Sequence, residues 1–248
     1  NSLQITENPI KIAMVGKYVT LADSYVSVNE ALKHATASIN SSVSIDWIDS
    51  ETLNGNIKKL SEYQGILVPG GFGTRGSEGI IETASFALEQ NIPFLGICFG
   101  FQLAAVSFGR SICKLEEANS TEISADTAHP IIALLPEQEG VSDMGGSLRL
   151  GANEIKINPD TLASKLYNSN KISRRHRHRY EFNIKFREQF KENGMIFSGE
   201  SDNGKRMEIL EVPSHKFFLG VQFHPEFNSR PGFPEESFKS FVTAASQN

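Results

Sequence analysis

Short apolar segments alternate with segments of helical periodicity through the first half of the chain, and this alternation constrains the fold more than any other feature. Four apolar segments have the length and composition of buried strands, and they cover residues 10–15, 43–48, 65–68 and 93–97. Strands that alternate with helices are typical of a parallel sheet with helices on its faces. The sequence therefore predicts an α/β fold with a mostly parallel central sheet.

Between these strands, apolar residues recur with the 3.6-residue period of a helix. The inward faces of the first two predicted helices are formed by Val28, Ala31, Leu32, Ala35 and Ile39, and by Ile80, Ala84, Ala87 and Leu88. Ser77 is the expected N-cap of the second helix. A third helix is predicted at residues 100–108.

After residue 114 the predicted strands are shorter and more alternating, which adds antiparallel strands to the sheet. They cover residues 131–135, 147–150, 155–157, 175–182, 209–212 and 217–223. A helix from about Pro234 ends the chain. Because no linker or repeat interrupts the sequence, residues 1–248 are interpreted as one domain.

Composition and charge argue against several classes of partner. The net charge of −5 does not provide the basic surface that nucleic-acid phosphates require. No apolar run reaches the roughly 18 residues of a membrane-spanning helix. Residues 1–4 do not resemble a signal peptide, and two cysteines are too few for a disulfide framework, so the expected location is the cytoplasm.

A candidate nucleophile lies between the fourth predicted strand and the third predicted helix. Residues 96–100 have the sequence Gly-Ile-Cys-Phe-Gly, the cysteine form of the sharp turn that exposes a nucleophile. Glycines suit both flanks because the turn leaves little space, and the following helix N-terminus favours a thiolate. Cys98 is therefore the candidate, although this pentapeptide also fits a buried structural cysteine. Cys113 lacks such flanks and is expected to be structural.

A second segment offers a partner for acid–base chemistry. His224 and Glu226 follow the predicted strand at 217–223. The histidine can accept the thiol proton and return it to a leaving group, and the acid can orient the imidazole. A single histidine at a strand end is often structural, and it is the cysteine turn elsewhere in the chain that favours a catalytic interpretation.

A glycine-rich segment at residues 69–73 follows the third predicted strand. Thioester formation passes through an oxyanion, which positioned backbone N–H groups stabilise. The amides of Gly71 and Phe99 are the expected donors. Glycine loops also bind phosphates, but the chain has neither a G-x-x-x-x-G-K-[ST] nor a G-x-G-x-x-G pattern.

Together these three segments resemble the class I glutamine amidotransferase family, whose triad is Cys, His and Glu in that chain order. Further segments are similar to the CTP synthase branch, at residues 15–19, 27–32, 117–122, 144–151 and 175–183. The similarity extends from about Lys11 to about Ala245. It implies the class I glutamine amidotransferase fold and a glutaminase that acts through a Cys98 thioester, with His224 and Glu226 completing the triad.

The resemblance also implies which residues bind L-glutamine. Arg179 would bind the carboxylate, for which a guanidinium fork is suited. Glu122 and Gln102 would bind the amino end and the backbone of the substrate. The pocket would be completed by Gly71, Phe99, Gly100 and Phe101. Phe99 and Phe101 stand where the family commonly has leucine and methionine, which puts the shape of the pocket in doubt.

The Arg-His-Arg-His-Arg run at residues 175–179 has two other interpretations when it is taken by itself. It could form a nucleic-acid-binding patch, or His176 and His178 could bind a metal. In a strand, the arginines would face one side while His176, His178 and Tyr180 face the other. The resemblance favours substrate binding here, with no metal.

The resemblance further implies a domain that this sequence does not contain. CTP synthases have an N-terminal synthetase domain that uses ATP and magnesium to phosphorylate UTP and then aminates it with ammonia. No segment of that kind is found in residues 1–248. The chain is expected to supply ammonia to the synthetase domain of the same enzyme, with GTP as allosteric activator, no cofactor of its own, and a homo-oligomeric full enzyme.

Two alternatives remain. The chain could be a stand-alone γ-glutamyl hydrolase or the glutaminase of another pathway, which would share the triad but has no reason to contain residues 144–151 and 175–183. It could also be a degenerate glutaminase kept as a regulatory module, but all three triad residues are present.

The paired glycines at 145 and 146 predict a mobile lid at about residues 140–146, because glycine makes a backbone easy to rearrange. An ordinary hairpin turn is the alternative. A lid that the partner domain must close implies a weak isolated glutaminase with little response to GTP.

Overall fold

The computed structural model describes residues 8–19, 21, 23–53, 55–134 and 148–248. Within these residues it contains twelve strands and six α-helices. The strands are β1 (Ile10–Gly16), β2 (Val43–Asp49), β3 (Gly65–Val68), β4 (Phe94–Ile97), β5 (Ala118–Ser120), β6 (His129–Ala133), β7 (Arg149–Ile157), β8 (Lys171–His178), β9 (Glu181–Phe182), β10 (Ile196–Ser201), β11 (Arg206–Glu211) and β12 (Phe218–Val221). The helices are α1 (Val26–Ser38), α2 (Ser77–Glu89), α3 (Phe99–Ser111), α4 (Leu162–Tyr167), α5 (Arg187–Glu192) and α6 (Glu236–Ser246).

The central sheet of the described residues has nine strands in the order β2-β1-β3-β4-β12-β11-β10-β7-β8. The first five strands are parallel, and the other four continue the sheet in antiparallel pairs. A smaller sheet has the order β5-β6-β9. The predicted α/β fold, with a parallel centre and added antiparallel strands, is confirmed.

Helices cover both faces of the parallel strands because these strands are apolar on both sides. All residues of β3, β4 and β12 are buried, which requires a core above and below the sheet. Helices α1 and α6 pack against each other on one face, while α2 and α3 pack together on the other. The inward residues predicted for α1 and α2 are buried as expected, except for the partly exposed Ile39 and Leu88.

Ser77 is not the N-cap of α2, so that prediction is wrong. The cap is Gly76, with φ 66° and ψ 7°, and Ser77 is already the first helical residue. Its hydroxyl donates to the carbonyl oxygen of Thr74 at 2.6 Å instead of capping a helix amide. The left-handed backbone that ends the preceding loop is readily available to glycine, which lets the helix begin one residue earlier.

Two predictions in the second half are wrong in extent. Residues 147–150 and 155–157 do not form separate strands, because the polar stretch between them continues β7 as a solvent-facing pairing with β8. The predicted strand at 175–182 is divided: β8 ends at His178, and the chain then leaves the central sheet so that β9 pairs with β6. The predicted lid at 140–146 lies outside the described residues, as does the end of the strand predicted at 131–135.

Four elements have no counterpart in the sequence prediction: β5, β10, α4 and α5. Each is short, and α4 and α5 have too few turns to show a clear apolar period. Thr161 and Ser164 form a capping box at the start of α4, which is the signal that would identify it. None of the described helices is long and apolar enough to cross a membrane.

The junction between β4 and β12 carries a buried aromatic pair, which generates a stability prediction. Phe94 and Phe218 stack with ring centroids 4.6 Å apart, and both are buried. We expect Phe94→Ala to lower the free energy of unfolding by about 3–5 kcal/mol, because it leaves a cavity in the core. Phe233 is 79% exposed, so Phe233→Ala should have little effect. Denaturant unfolding measures both, and equal losses would contradict this assignment of the core.

Candidate active site

Four neighbouring parallel strands end at the same edge of the sheet, and each delivers a candidate residue there. Lys17 follows β1, the glycine-rich loop 69–73 follows β3, Cys98 follows β4, and His224 lies three residues after the end of β12. The carboxyl ends of parallel strands are the usual place for ligand sites in such sheets. The topology therefore gathers residues that are far apart in the sequence.

Cys98 occupies the sharp turn that the flanking glycines predict. Its backbone has φ 53° and ψ −97°, a rarely populated conformation that is characteristic of functional sites. A Cβ atom at Gly96 would lie 2.7 Å from the carbonyl oxygen of Gly100, and one at Gly100 would lie 2.4 Å from that of Val68. Neither position has room for a side chain. Helix α3 begins at the next residue and directs its positive N-terminal end towards the thiol.

His224 and Glu226 form the acid–base pair at this turn. The Nδ1 atom of His224 is 2.8 Å from Oε1 of Glu226, and the imidazole also lies close enough to Cys98 for the two groups to interact. A 3₁₀ turn at Pro225–Asn228 brings the carboxylate back towards the ring. The backbone N–H of His224 donates to the carbonyl oxygen of Arg175 at 2.8 Å, which fixes the start of this turn. The three predicted triad residues therefore lie together.

The environment of His224 favours the imidazolium. Burial lowers the pKa of His224, but the hydrogen bonds and negative charges of Cys98 and Glu226 outweigh burial and raise the pKa to about 10. A protonated imidazole beside the nucleophile can donate a proton to the leaving group after nucleophilic attack.

The loop after β3 lies directly against the nucleophile. A Cβ atom at Gly70 would be 3.0 Å from Cε1 of His224 and 3.8 Å from the Cβ atom of Cys98. A Cβ atom at Gly71 would be 3.4 Å from the ring of Phe99. The amides of Gly71 and Phe99, the predicted oxyanion donors, thus belong to residues that are packed together beside Cys98.

Gln102 makes its side-chain contacts inside the protein. Its Nε2 atom donates to the carbonyl oxygen of Tyr180 at 2.9 Å and to Oε1 of Gln222 at 3.3 Å. The Nε2 atom of Gln222 in turn lies 3.8 Å from Sγ of Cys98. Gln222 is fully buried, and the sequence analysis did not select it. The available signal is an amide side chain at the end of an apolar strand, two residues before the histidine.

Glu122 and Arg179 place opposite charges near Tyr180. Oε1 of Glu122 accepts a hydrogen bond of 2.9 Å from the backbone N–H of Gly73. Burial and the charge of Glu122 raise the pKa of Tyr180, while the charge of Arg179 opposes them, so both charges act on this phenol. Arg179 is half-buried in the turn between β8 and β9.

The other two predicted pocket residues are buried in α3. Gly100 packs against the backbone of Val68 at the nucleophile turn. The ring of Phe101 lies fully within the hydrophobic core. Phe101 stands where the family commonly has methionine. Because its ring is buried, this difference affects packing of the core and not a side chain that a ligand could contact.

The histidines of the Arg-His-Arg-His-Arg run point inwards, as the alternation predicts, while Arg175 and Arg177 are exposed. Nε2 of His176 lies 2.9 Å from Oε2 of Glu208, which also binds Arg149. Burial raises the pKa of Glu208, but its contacts with His176 and Arg149 lower it to about 2. The buried carboxylate of Glu208 is thus paired with two side chains inside the protein, those of His176 and Arg149.

His178 has a different role in the same strand. Burial lowers the pKa of His178 to about 3, so the ring is neutral and donates from Nδ1 to the carbonyl oxygen of Tyr180 at 3.2 Å. Across the described ranges, no group of three or more His, Cys, Asp or Glu residues could hold a metal ion. His178 therefore helps to hold the turn that carries Arg179.

Comparison with known proteins gives this geometry its family. The family model for glutamine amidotransferase class-I matches residues 20–244. The nucleophile turn, the following helix and the Cys98–His224–Glu226 contacts all lie within that match. The chain therefore belongs to the class I glutamine amidotransferase family.

Within the family, the chain is a glutaminase domain of the CTP synthase type. It is 53% identical over 234 residues to the CTP synthase of Archaeoglobus fulgidus, and 53% identical over 247 residues to that of Staphylococcus epidermidis. These matches cover 94% and 99% of this chain, but 44% and 46% of the two relatives. The chain thus spans less than half the length of the curated relatives it matches.

Solved structures agree with this assignment. The glutaminase domain of Trypanosoma brucei CTPS with bound acivicin superposes with a TM-score of 0.91 at 35% identity, covering 96% of this chain and 94% of that one. A glutamine amidotransferase from Thermotoga maritima has a TM-score of 0.58 at 14% identity, which is a likeness of fold alone. The predicted family and fold class are confirmed.

The proton on His224 generates a testable prediction. We expect NMR titration of its imidazole to give a midpoint near 10, and Glu226→Gln to lower that midpoint by removing one of the two negative partners. Because the pKa in the folded state lies above the unfolded value of 6.5, the resulting stabilisation is complete below pH 6.5 and is lost as the pH rises towards 10.

The free energy of unfolding relative to His224→Gln measures that loss. The advantage of the unmodified protein should shrink between pH 6.5 and 10. A midpoint near 6.5 with a constant difference in stability would contradict the ion-paired state.

Proposed function

We propose that this domain hydrolyses L-glutamine to glutamate and ammonia through a thioester on Cys98. The observation that carries the proposal is the grouping of Cys98 with the hydrogen-bonded pair His224–Glu226 at the carboxyl edge of the parallel strands, beside a glycine-rich loop. A structural cysteine has no need for a protonated imidazole at its side, for a strained backbone, or for flanks without side chains.

In the first half-reaction, the Cys98 thiolate attacks the side-chain carbonyl carbon of glutamine. The carbonyl oxygen becomes an oxyanion, which the amides of Gly71 and Phe99 stabilise. His224 then gives its proton to the amide nitrogen as the C–N bond breaks. Ammonia leaves, and the thioester and a neutral imidazole remain.

In the second half-reaction, His224 takes a proton from a water molecule as that water attacks the thioester carbonyl. The tetrahedral intermediate uses the same two amides and then collapses with loss of the thiolate. Glutamate leaves, and the imidazolium–thiolate pair is restored. Glu226 keeps Nδ1 of the ring occupied throughout, so the proton at the other nitrogen is the one that moves.

Substrate recognition is assigned to the two charges around Tyr180. Arg179 binds the α-carboxylate of glutamine, and Glu122 binds the α-ammonium group. Glu122 and Arg179 have opposite effects on the pKa of Tyr180, so both charges lie near this one residue. Their proximity supports the arrangement, because a zwitterion requires an anionic and a cationic partner in one small site. Gln102 contributes by holding the carbonyl of Tyr180.

The complete enzyme is proposed to use the ammonia for ATP-dependent amination of UTP to CTP. The support is that curated relatives named CTP synthase extend well beyond this chain, which leaves room for a synthetase domain with its ATP and magnesium. Residues 1–248 would form one glutaminase domain, activated by GTP, in a homo-oligomeric cytoplasmic enzyme. A stand-alone γ-glutamyl hydrolase is less favoured because the relatives share nearly the whole of this chain.

The nucleophile assignment is tested by Cys98→Ala. We expect glutamine hydrolysis to fall by at least about 10⁴-fold while the circular dichroism spectrum of the folded protein is retained, because alanine fits the turn but forms no thioester. Cys113→Ala is the matched control. Burial raises the pKa of the Cys113 thiol to about 11, so iodoacetamide should label Cys98 and spare Cys113. Appreciable hydrolysis by Cys98→Ala would exclude the thioester mechanism.

The recognition assignment is tested by Arg179→Ala and Glu122→Ala. In both variants, loss of a charge-assisted contact worth about 1.5–3 kcal/mol should raise KM about tenfold to a hundredfold. The change in kcat should be smaller in Arg179→Ala, whereas Glu122→Ala should also lower kcat because it removes the acceptor of the Gly73 amide. Arg187→Ala serves as the control, because it removes an ion pair between Arg187 on α5 and Glu200 on β10. Steady-state kinetics on free glutamine provide the measurement, and normal KM values in both variants would refute the pocket assignment while leaving the triad intact.

A further inference from the structure

Lys17 is a buried cation at the active-site edge that the proposed mechanism does not use. It follows β1, and only 4% of the residue is exposed. Its Nζ atom donates to the carbonyl oxygen of Phe72 at 3.0 Å and also to that of Gly73. The same atom lies 4.1 Å from the centre of the Phe99 ring. A single ammonium group therefore contacts the glycine-rich loop and the residue after the nucleophile.

The peptide group between Phe72 and Gly73 is held from both ends. Its carbonyl accepts from Lys17, and its N–H donates to Glu122 at 2.9 Å. In a trans peptide the C=O and N–H bonds point in opposite directions, and the described residues contain no cis peptide. Rotation of this peptide would break both charge-assisted hydrogen bonds at once. Lys17 and Glu122 thus act as a clamp on one peptide plane.

The loop needs such a clamp because its own sequence does not restrain it. Gly70, Gly71 and Gly73 have little intrinsic preference for one backbone conformation, and Gly73 has φ +78°. The side chain of Phe72 is 68% exposed, so core packing does not anchor the loop at that point. The proposed oxyanion donor, the amide of Gly71, is two peptide groups away from the clamped one.

A charged ammonium is consistent with these contacts. Burial lowers the pKa of Lys17 to about 8, and the charge of Glu122 opposes part of that effect. Lys17 is therefore mainly protonated at neutral pH. The backbone of Lys17 is held as well, because the Arg75 side chain donates to the backbone carbonyl oxygen of Lys17.

We propose that Lys17 is a positioning residue for glutamine hydrolysis, which holds the glycine-rich loop so that the Gly71 amide faces the developing oxyanion. This inference rests on the proposed glutaminase function. Lys17 does not contact the reacting atoms in this scheme, and its effect passes through the orientation of the loop. Loss of Lys17 should therefore weaken transition-state stabilisation more than it weakens binding of the substrate.

The test compares Lys17→Met with Lys33→Met, which removes an exposed lysine paired with Glu30 on α1. We expect Lys17→Met to lower kcat for glutamine hydrolysis by about 100-fold, the order of effect of losing one oxyanion donor. KM should change by less than about threefold. Alkylation of Cys98 by iodoacetamide should keep its rate, because that reaction needs the thiolate and His224 but no oxyanion donor. Lys33→Met should change none of these values.

Amide hydrogen exchange at Gly73 provides a readout that does not depend on catalysis. Loss of the clamp should speed exchange at this amide by at least about tenfold in Lys17→Met, since the local hydrogen bond then opens more often. If Lys17→Met does not fold, Lys17→Gln retains a side-chain N–H donor and is measured in the same way, with smaller expected effects.

The outcomes separate the inference from the function on which it rests. Unchanged exchange at Gly73, or an unchanged kcat, would overturn the role of Lys17. So would a loss of kcat that is matched by an equal loss of Cys98 alkylation, because the defect would then lie in the nucleophile pair. By contrast, hydrolysis that survives in Cys98→Ala would refute the proposed function, while the exchange measurement would still decide whether the clamp exists.

Discussion

The close approach of three backbone segments around Cys98 is the constraint on which the rest of the site depends. Strand β4 must turn into α3 within one residue while the loop after β3 packs beside Cys98. This is possible only because Gly96 and Gly100 bring no Cβ atoms into contacts of 2.4–2.7 Å with neighbouring carbonyl oxygens. The turn then sets the thiol at the end of a helix and in reach of the histidine that follows β12.

Buried charge organises the side chains around this turn. The imidazole of His224 is held between Cys98 and the carboxylate of Glu226, and the ammonium of Lys17 is held between the loop carbonyls and Glu122. Behind them, Glu208 joins β11 to β7 and β8 through Arg149 and His176. Such groups are costly to bury unless each has a partner of fixed geometry. The same requirement makes the active-site edge rigid, as preorganised stabilisation of an oxyanion demands.

The sequence pattern was most informative where one local rule acts. Apolar segments located the parallel strands to within a residue or two, and the Gly-Ile-Cys-Phe-Gly turn identified the nucleophile. The pattern failed where distant contacts override local preference. The polar residues inside β7 are strand because β8 pairs with them. The chain leaves the central sheet after His178 because β6 pairs with the residues of β9 that follow.

The sequence by itself determined the alternating strands and helices of the first half, the turn at Cys98 and the family, because these depend on residue types at short spacings. Only the tertiary structure decided that Lys17 and Glu122 form hydrogen bonds with the same peptide group, and that Gln222 lies beside the thiol. The ends of the parallel strands, together with the segment that follows β5 of the smaller sheet, bring these residues together from across about 200 positions of chain. No local pattern records such contacts, since each residue is ordinary in its own segment and acquires its role only when the strand ends meet.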